Sequence, residues 1–336
     1  MNLTTLASLA GVSVSTVSKA FSGSREISEE TREKIFAIAR ENGCFDKYNK
    51  NKFEKKVIAV ICPEIISEYY SSITEELRNE IRSRGSIINI SITNFEKALE
   101  QELYTYYSSY CKADGIIFIN PRSKINNPNN IPTVAISPSS TSDNVDSLFT
   151  DTQYAINDAV KYLKEMGHTK IGFAGESLTM QKMTMFKNAL RTSGIPVNDK
   201  YITVSDNRFE EAGADIVNKW LKNDDLPTAI IAAYDYIAIG AMKELYKKGY
   251  RIPDDISVIG MDDIARAPYL QTSLSSIHFP QKEICQTSVD LIMKKIENQF
   301  YSSRRRIIIH QQFIPRESTG KAPKESMPLM ASCKKI

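Results

Sequence analysis

The chain has 336 residues, 42% hydrophobic and 25% charged, with room for two or three domains that each bury a core. Its five cysteines (Cys44, Cys62, Cys111, Cys285 and Cys333) are odd in number and scattered, with no CxxC pair or Cys/His cluster, so no disulfide frame, metal site or cofactor is expected. No charged-then-apolar leader and no apolar run long enough to span a bilayer is present, which points to a cytoplasmic protein without a membrane partner.

Residues 4–22 read TTLASLAGVSVSTVSKAFS. Leu6, Leu9 and Ala10 form the apolar stripe expected of a first helix, and Gly11 supplies the φ-permissive residue of a tight helix–helix turn. Val12 is placed to plug the corner. Ser13 is placed to cap a second helix running to about Phe21. That helix buries Val17, Ala20 and Phe21 and offers Val14, Ser15, Thr16, Ser18 and Lys19 on its other face. Short hydroxyls, an apolar patch and one cation can meet base edges, thymine methyls and phosphates in a major groove. Periodicity alone fits an ordinary pair of core helices equally well.

The next helix adds weight. Ser28 is a good N-cap, Glu29 and Glu30 occupy the first turn, and Arg40 precedes the stop at Asn42-Gly43. With LASLAGVSVSTVSKAFSG and ISEETREKI in place, residues 1–43 resemble the three-helix DNA-binding domain of the LacI/GalR family of transcription regulators. The candidate DNA contacts are Leu3, Ser13, Val14, Ser15, Thr16, Ser18, Lys19, Ser22 and Thr31.

Residues 47–56, KYNKNKFEKK, carry five lysines against Glu54. Residues 1–56 hold ten Lys or Arg against seven Asp or Glu, so the formal excess of +3 for the whole chain lies here. Behind a helix-turn-helix, a polyphosphate partner accounts for such a run better than a merely solvated linker. The family's linker reads roughly Tyr-x-Pro-Asn-x-x-Ala-Arg-x-Leu and folds on DNA into a hinge helix whose leucine wedges into the minor groove. Here Cys44, Asp46, Lys47, Lys50, Asn51 and Phe53 stand at the corresponding places. The resemblance puts Phe53 at the wedge, where an aromatic ring can pry a base step apart. Lys50 replaces the alanine that lets two hinge helices approach, so only a partial hinge helix is expected, formed on DNA.

From Val57 the pattern changes to short β-branched runs. Candidate strands are 57–62, 86–92, 114–120, 133–137, 170–175, 201–205, 228–233 and 256–262, and amphipathic helices include 70–84, 153–166, 179–193, 209–222 and 236–248. Apolar strands alternating with helices predict parallel sheets covered on both faces, in two similar doubly wound lobes. The phrases LKEMGHTKIGFAG (163–175), PTAIIAAYDYIAIGAMKEL (227–245), GYRIPDDISVIGMDD (249–263), LSSIHFPQKEI (274–284) and RESTG (316–320) are again similar to the LacI/GalR core. The resemblance implies an α/β, two-lobed, periplasmic-binding-protein-like core of doubly wound parallel sheets. It also implies three crossing strands and a return to the first lobe near 281–308. The expected organisation is a helix-turn-helix domain at 1–46, a basic linker at 47–56 and a core at 57–320. Within the core, one lobe takes about 57–151 and 281–308, the other about 152–280 and 309–320, and a polar tail follows at 321–336.

In open α/β sheets, ligands sit outside the carboxyl ends of the strands, here between the lobes. Candidates there are Ser67, Tyr69, Tyr70, Asn120, Lys182, Tyr234, Asp235 and Asp262. By resemblance Asp262 leads, because the family's Gly-Phe-Asp-Asp stands here as Gly260-Met261-Asp262-Asp263. Asp235 also fits a helix cap, and Tyr69 and Tyr70 also fit lobe packing. Arg208 or Phe209 falls where the family often stacks an aromatic on its ligand, with the one-residue register open. Lys182 stands for the family's frequent arginine and Tyr234 for its asparagine. Ser137-Pro138 replaces Asp-Arg, and Asp151-Thr152 replaces Asp-Asn. Losing a bidentate arginine suggests an unusual or less polar effector.

Three functions compete. The first is a repressor whose dimer reads a pseudo-palindromic operator under control of a sugar or related metabolite. The second is a small-molecule carrier, opposed by residues 1–43. The third is an enzyme, opposed by the lack of a Gly-rich phosphate loop and by three isolated histidines (His168, His278 and His310), with no catalytic residue to name. The tail lacks a leucine heptad, so a homodimer is expected rather than a zippered tetramer.

Overall fold

The computed structural model describes residues 1–24, 26–48, 55–111, 113–137, 145–222, 225–297 and 303–324. Phe53, most of the basic linker and residues 325–336 of the tail lie outside the described residues, as does Pro138.

The amino-terminal unit is built from α1 (Leu3–Ala10), α2 (Val14–Phe21), α3 (Glu29–Glu41) and the short α4 (Phe45–Tyr48). Each of the first three helices has a side-chain cap: Asn2 accepts from the Thr5 N–H, Ser13 from Thr16 and Ser28 from Thr31. Gly11 ends α1 at φ 69°, where a Cβ would be strained, and so allows the abrupt turn into α2. Leu6, Ala7, Ala10, Val17, Ala20, Phe21, Ile35 and Ala39 form the core, with Val12 packed against it. Phe21, Phe36 and Phe45 close it, with Phe36 and Phe45 edge to face at 5.1 Å. Leu9 departs from expectation, being 53% exposed. Helix α1 packs on both α2 and α3, and small Ala7 takes the inward position that admits that approach.

The second unit has two sheets. In the first lobe the chain runs β1 (Val57–Cys62), α5 (Glu68–Ser83), β2 (Ile87–Ile92), α6 (Lys97–Thr105), β3 (Gly115–Ile119), β4 (Thr133–Ile136) and β5 (Asp146–Thr150). It crosses to α7 (Thr152–Glu165), β6 (Ile171–Glu176), α8 (Met180–Thr192), β7 (Ile202–Ser205), α9 (Phe209–Leu221), β8 (Ala229–Ala232), α10 (Asp235–Lys247), β9 (Ser257–Asp262) and β10 (Ser275–His278). It returns for α11 (Gln281–Glu297) and β11 (Arg306–Ile309), then ends with β12 (Gln312–Ile314). The six-stranded orders are β11-β5-β4-β3-β1-β2 and β12-β10-β9-β8-β6-β7. The chain therefore passes between sheets three times: after β5, after β10 and after β11. Strand β12 runs antiparallel to its neighbour β10. The fold is α/β with doubly wound, parallel-dominated sheets, as the alternation of apolar strands and helices predicts.

Strand interiors such as Ile58–Ile61, Ile116–Ile119 and Ala229–Ala232 are buried because helices cover both faces of each sheet. Helices α9 and α10 cross unusually closely. A Cβ on Gly213 would overlap the Ile237 carbonyl, and one on Gly240 would overlap Glu210 backbone. That glycine pair fixes the relative positions of the two helix starts, Phe209 and Asp235, beside the strand ends.

Candidate functional site

In the amino-terminal unit, α2 divides cleanly by face. Val17, Ala20 and Phe21 are buried, while Val14, Ser15, Ser18, Lys19 and Ser22 are exposed along the opposite side. Thr16 is half-buried; it and Ser15 each share a 2.7 Å hydrogen bond with the Ser13 hydroxyl, which caps the helix. Lys19 is paired with Glu26, and that cation holds the Glu26 carboxyl below its usual range. Leu3 is half-buried against the core, and the Thr31 hydroxyl is tied to the Ser28 cap at 2.8 Å. The free face carries short hydroxyls, one valine and one lysine, which suits close approach to base edges.

In the second unit, the carboxyl ends of the strands from both lobes meet. Seven of the non-glycine residues with positive φ lie just beyond or at these ends: Asn94, Phe95, Asn120, Ser137, Phe209, Asp262 and Asp263. Backbone strain of this kind persists only where surrounding structure over-determines it, and it gathers at ligand sites.

Tyr69 and Tyr70 open α5, their rings edge to face at 4.9 Å, and Tyr69 packs equally closely on Phe279. The Tyr70 hydroxyl accepts from Asn120 Nδ2 at 2.8 Å, and burial pushes its pKa up to about 12. Ser67 is buried just before this helix, its carbonyl accepting from Ser71. From the second lobe, Lys182 donates to the Ala233 carbonyl at 2.7 Å and stands 3.8 Å from Asp262. Burial raises the Asp262 pKa to about 6 despite that lysine. Burial also raises the Tyr234 phenol, which accepts the Phe209 N–H at 3.1 Å. A cavity of about 550 Å³ adjoins this region where the chain crosses between lobes, lined by Glu68, Tyr69, Asp262, Ile264 and Phe279 among others. Its size suits a small polar ligand. A cavity of about 390 Å³ in the first lobe, beside Glu100 and Tyr104, is remote from these strand ends. There the Glu100 carboxylate already accepts from the Arg122 and Ser123 amides.

One candidate does not face the cleft. Asp235 is fully buried inside the second lobe, where it accepts from the Ile264 N–H at 2.8 Å and the Ser276 hydroxyl at 2.6 Å. It does not cap α10; it ties the loop after β9 to β10. Gly260 makes room for it, since a Cβ there would overlap the carboxylate. The open register at 208–209 divides between two roles. Arg208 reaches across to the first lobe, while Phe209 packs on Tyr234 and Tyr236.

Sequence reading missed Glu64, Phe95 and Glu176, although Glu64 and Glu176 stand where β1 and β6 end and could have been found by that position. Arg208 donates from both Nη atoms to Glu64 at 3.0 Å, and its Nε is 4.0 Å from Glu176.

Residues 2–43 match the family model described as bacterial regulatory proteins, lacI family, and residues 160–319 match a periplasmic binding protein-like domain. The chain belongs to the LacI/GalR family of bacterial transcriptional regulators. This regulator is 28% identical over 326 residues to the HTH-type transcriptional repressor CytR of Escherichia coli K12, covering 94% of this chain and 95% of that one. Its fold is shared with a lac repressor dimer bound to operator and an anti-inducer, at TM-score 0.69 and 21% identity over 95% and 99% of the two chains. A ribose-bound LacI family regulator from Enterococcus faecium matches at TM-score 0.67 and 22% identity, over 79% of this chain and 99% of that one.

Proposed function

We propose that this LacI/GalR regulator is a repressor that binds a pseudo-palindromic operator as a homodimer and responds to a sugar or related metabolite held between its lobes. It acts in the cytoplasm and turns over no substrate. The observation that carries the reading is the pairing, in one chain, of a polar face on α2 with a strained, strand-end cleft in a separate unit. Val14, Ser15, Ser18 and Lys19 are assigned to base edges, with Ser13, Thr16 and Ser22 beside them and Leu3 and Thr31 at the periphery. In the cleft, Asp262 and Lys182 are assigned to ligand hydroxyls. Tyr69, Tyr70, Asn120, Phe209 and Tyr234 shape the walls. The ribose in one structural relative and the operator DNA in another agree with this division of labour.

The two bindings are reciprocal: a ligand that prefers one lobe arrangement changes operator affinity by its differential affinity for the two arrangements. Moving the operator from nearly full to nearly empty requires a ratio of about 10⁴. Fluorescence anisotropy with DNA from upstream of the chain's own gene and its neighbours tests the reading. Selective binding by the full chain, altered by a sugar or nucleoside in a panel, is the expected result. Equal binding to all duplexes at matched salt would refute it.

A further inference from the structure

Arg208 leaves the junction of β7 and α9 in the second lobe and ends on Glu64 at the junction of β1 and α5 in the first. Nη1 and Nη2 each donate at 3.0 Å to one oxygen of Glu64, the fork-to-fork arrangement that guanidinium and carboxylate prefer. The guanidinium lies 5.4 Å from the Phe95 ring and 4.5 Å from the Phe209 ring. Glu64 is 4% exposed and Glu176 is 1% exposed, so water screens neither carboxylate effectively.

The charges at these strand ends include Glu64, Glu176 and Asp262 with Arg208 and Lys182, and Arg122 stands two residues beyond Asn120, near enough to act on the Tyr70 phenol. Arg208 is engaged by Glu64, and Lys182 by the Ala233 carbonyl and Asp262. A phosphate or carboxylate entering beside Arg208 would find its fork already taken and would meet the buried carboxylates of Glu64 and Glu176.

We propose that Glu64 determines the charge class of the effector: by occupying the Arg208 fork it leaves a cleft that accepts an uncharged or cationic molecule and rejects a phosphorylated or carboxylated one. The inference rests on the reading of the cleft as the effector site. It differs from a plain tie between lobes in one respect. Removing the Glu64 charge while keeping its shape must create an anion site where there was none, because the Arg208 Nη atoms then lose their carboxylate partner and only Glu176, 4.0 Å from Nε, still opposes the cation.

Inorganic phosphate is the probe, titrated into the full chain against chloride at matched ionic strength, with the unfolding temperature as readout. R208Q and E64Q/R208Q account for phosphate held elsewhere, including on the basic amino-terminal residues. The wild type is expected to show no saturable rise beyond that of R208Q. E64Q is expected to gain one, about 5 °C at a hundredfold excess over Kd, that E64Q/R208Q lacks. On the wild type, ribose is expected to bind more tightly than ribose 5-phosphate, and adenosine more tightly than its monophosphate, wherever either member of a pair binds. An Arg208-dependent rise in the wild type, a folded E64Q without a gain, or preference for the phosphorylated member of a pair would each overturn the proposal. Operator binding by the unliganded wild type is measured alongside. Its loss would sink the functional reading while leaving the phosphate result standing.

Discussion

Lys182 and Asp262 face each other at 3.8 Å in the second lobe, yet the lysine does not keep the carboxyl in its ordinary range. Burial raises the Asp262 pKa from 3.8 to about 6, and its backbone sits at φ 104°. Both facts mark a residue held against its own preference. A raised folded-state value means that protonation favours the fold, so stability is lost as pH rises from about 4 to about 6. Asp262→Asn is therefore expected to be more stable than the wild type at pH 7.5, by about 2–3 kcal/mol at most. The gap should close near pH 4, and the variant should lose ligand response. Urea unfolding at the two pH values checks it, and a variant less stable at pH 7.5 would show that the ion pair outweighs burial.

The crossing of α9 and α10 supports the same strand ends from behind. Gly240→Ala places a methyl group where Glu210 backbone now lies. Both helices must move apart, and overpacking of this kind costs about 1–3 kcal/mol. The shift also displaces Phe209 from Tyr234, whose hydroxyl accepts its N–H. A lower denaturant midpoint together with weakened ligand response is the expected outcome. Unchanged ligand affinity in a destabilised protein would confine the glycine pair to packing.

His168 shows how a polar side chain can belong wholly to the fold. It is fully buried, with Nδ1 2.9 Å from the Thr228 hydroxyl and Nε2 3.0 Å from the Gly320 carbonyl. Nε2 therefore donates and Nδ1 accepts. Burial lowers its pKa below the usual 6.5. The unfolded chain then takes up the proton first, so stability falls as pH drops below about 6.5. His168→Gln should be less stable at pH 7.5 but lose less on going to pH 5.5. Equal pH slopes for the two proteins would assign the acid sensitivity to other groups.

Much of this architecture is legible because β-branched runs such as VIAVIC and TAIIAA admit few other readings inside a helix-covered sheet. Strands β5 and β10 went unread for a physical reason, and β11 and β12 are pieces of four and three residues that are mostly not buried. Asp146, Ser147, Ser275 and Ser276 are buried polar residues, satisfied by partners distant in sequence. Asp146 accepts from the Arg305 N–H, and the Ser276 hydroxyl donates to Asp235. Hydropathy registers the polar atom but not its partner. The same limit hid the pairing of Glu64 with Arg208, which only the meeting of two lobes brings together. The α2 face was legible because its geometry is local: eight residues at helical spacing divide it without help from the rest of the chain.

That local face makes the sharpest forecast for DNA. Ser15 carries a short hydroxyl on the exposed side of α2, and Ser15→Ala is expected to relax selection at one base pair of each half-site, by about 1–3 kcal/mol. Lys19 is different, because Glu26 competes for its ammonium group in the free protein. If Lys19 meets a phosphate, Lys19→Ala weakens all duplexes alike and lowers the salt slope by about one. If it meets a guanine, the loss falls on one position. Glu26→Gln separates competition from contact: freeing the ammonium should tighten binding several-fold at low salt, and this gain should disappear in the Lys19→Ala background. Binding that Glu26→Gln leaves unchanged would mean that DNA engages Lys19 without displacing its partner. Unchanged operator selection in Ser15→Ala, Ser18→Ala and Lys19→Ala would place the reading face elsewhere, because these three carry the exposed hydroxyls and the cation of α2.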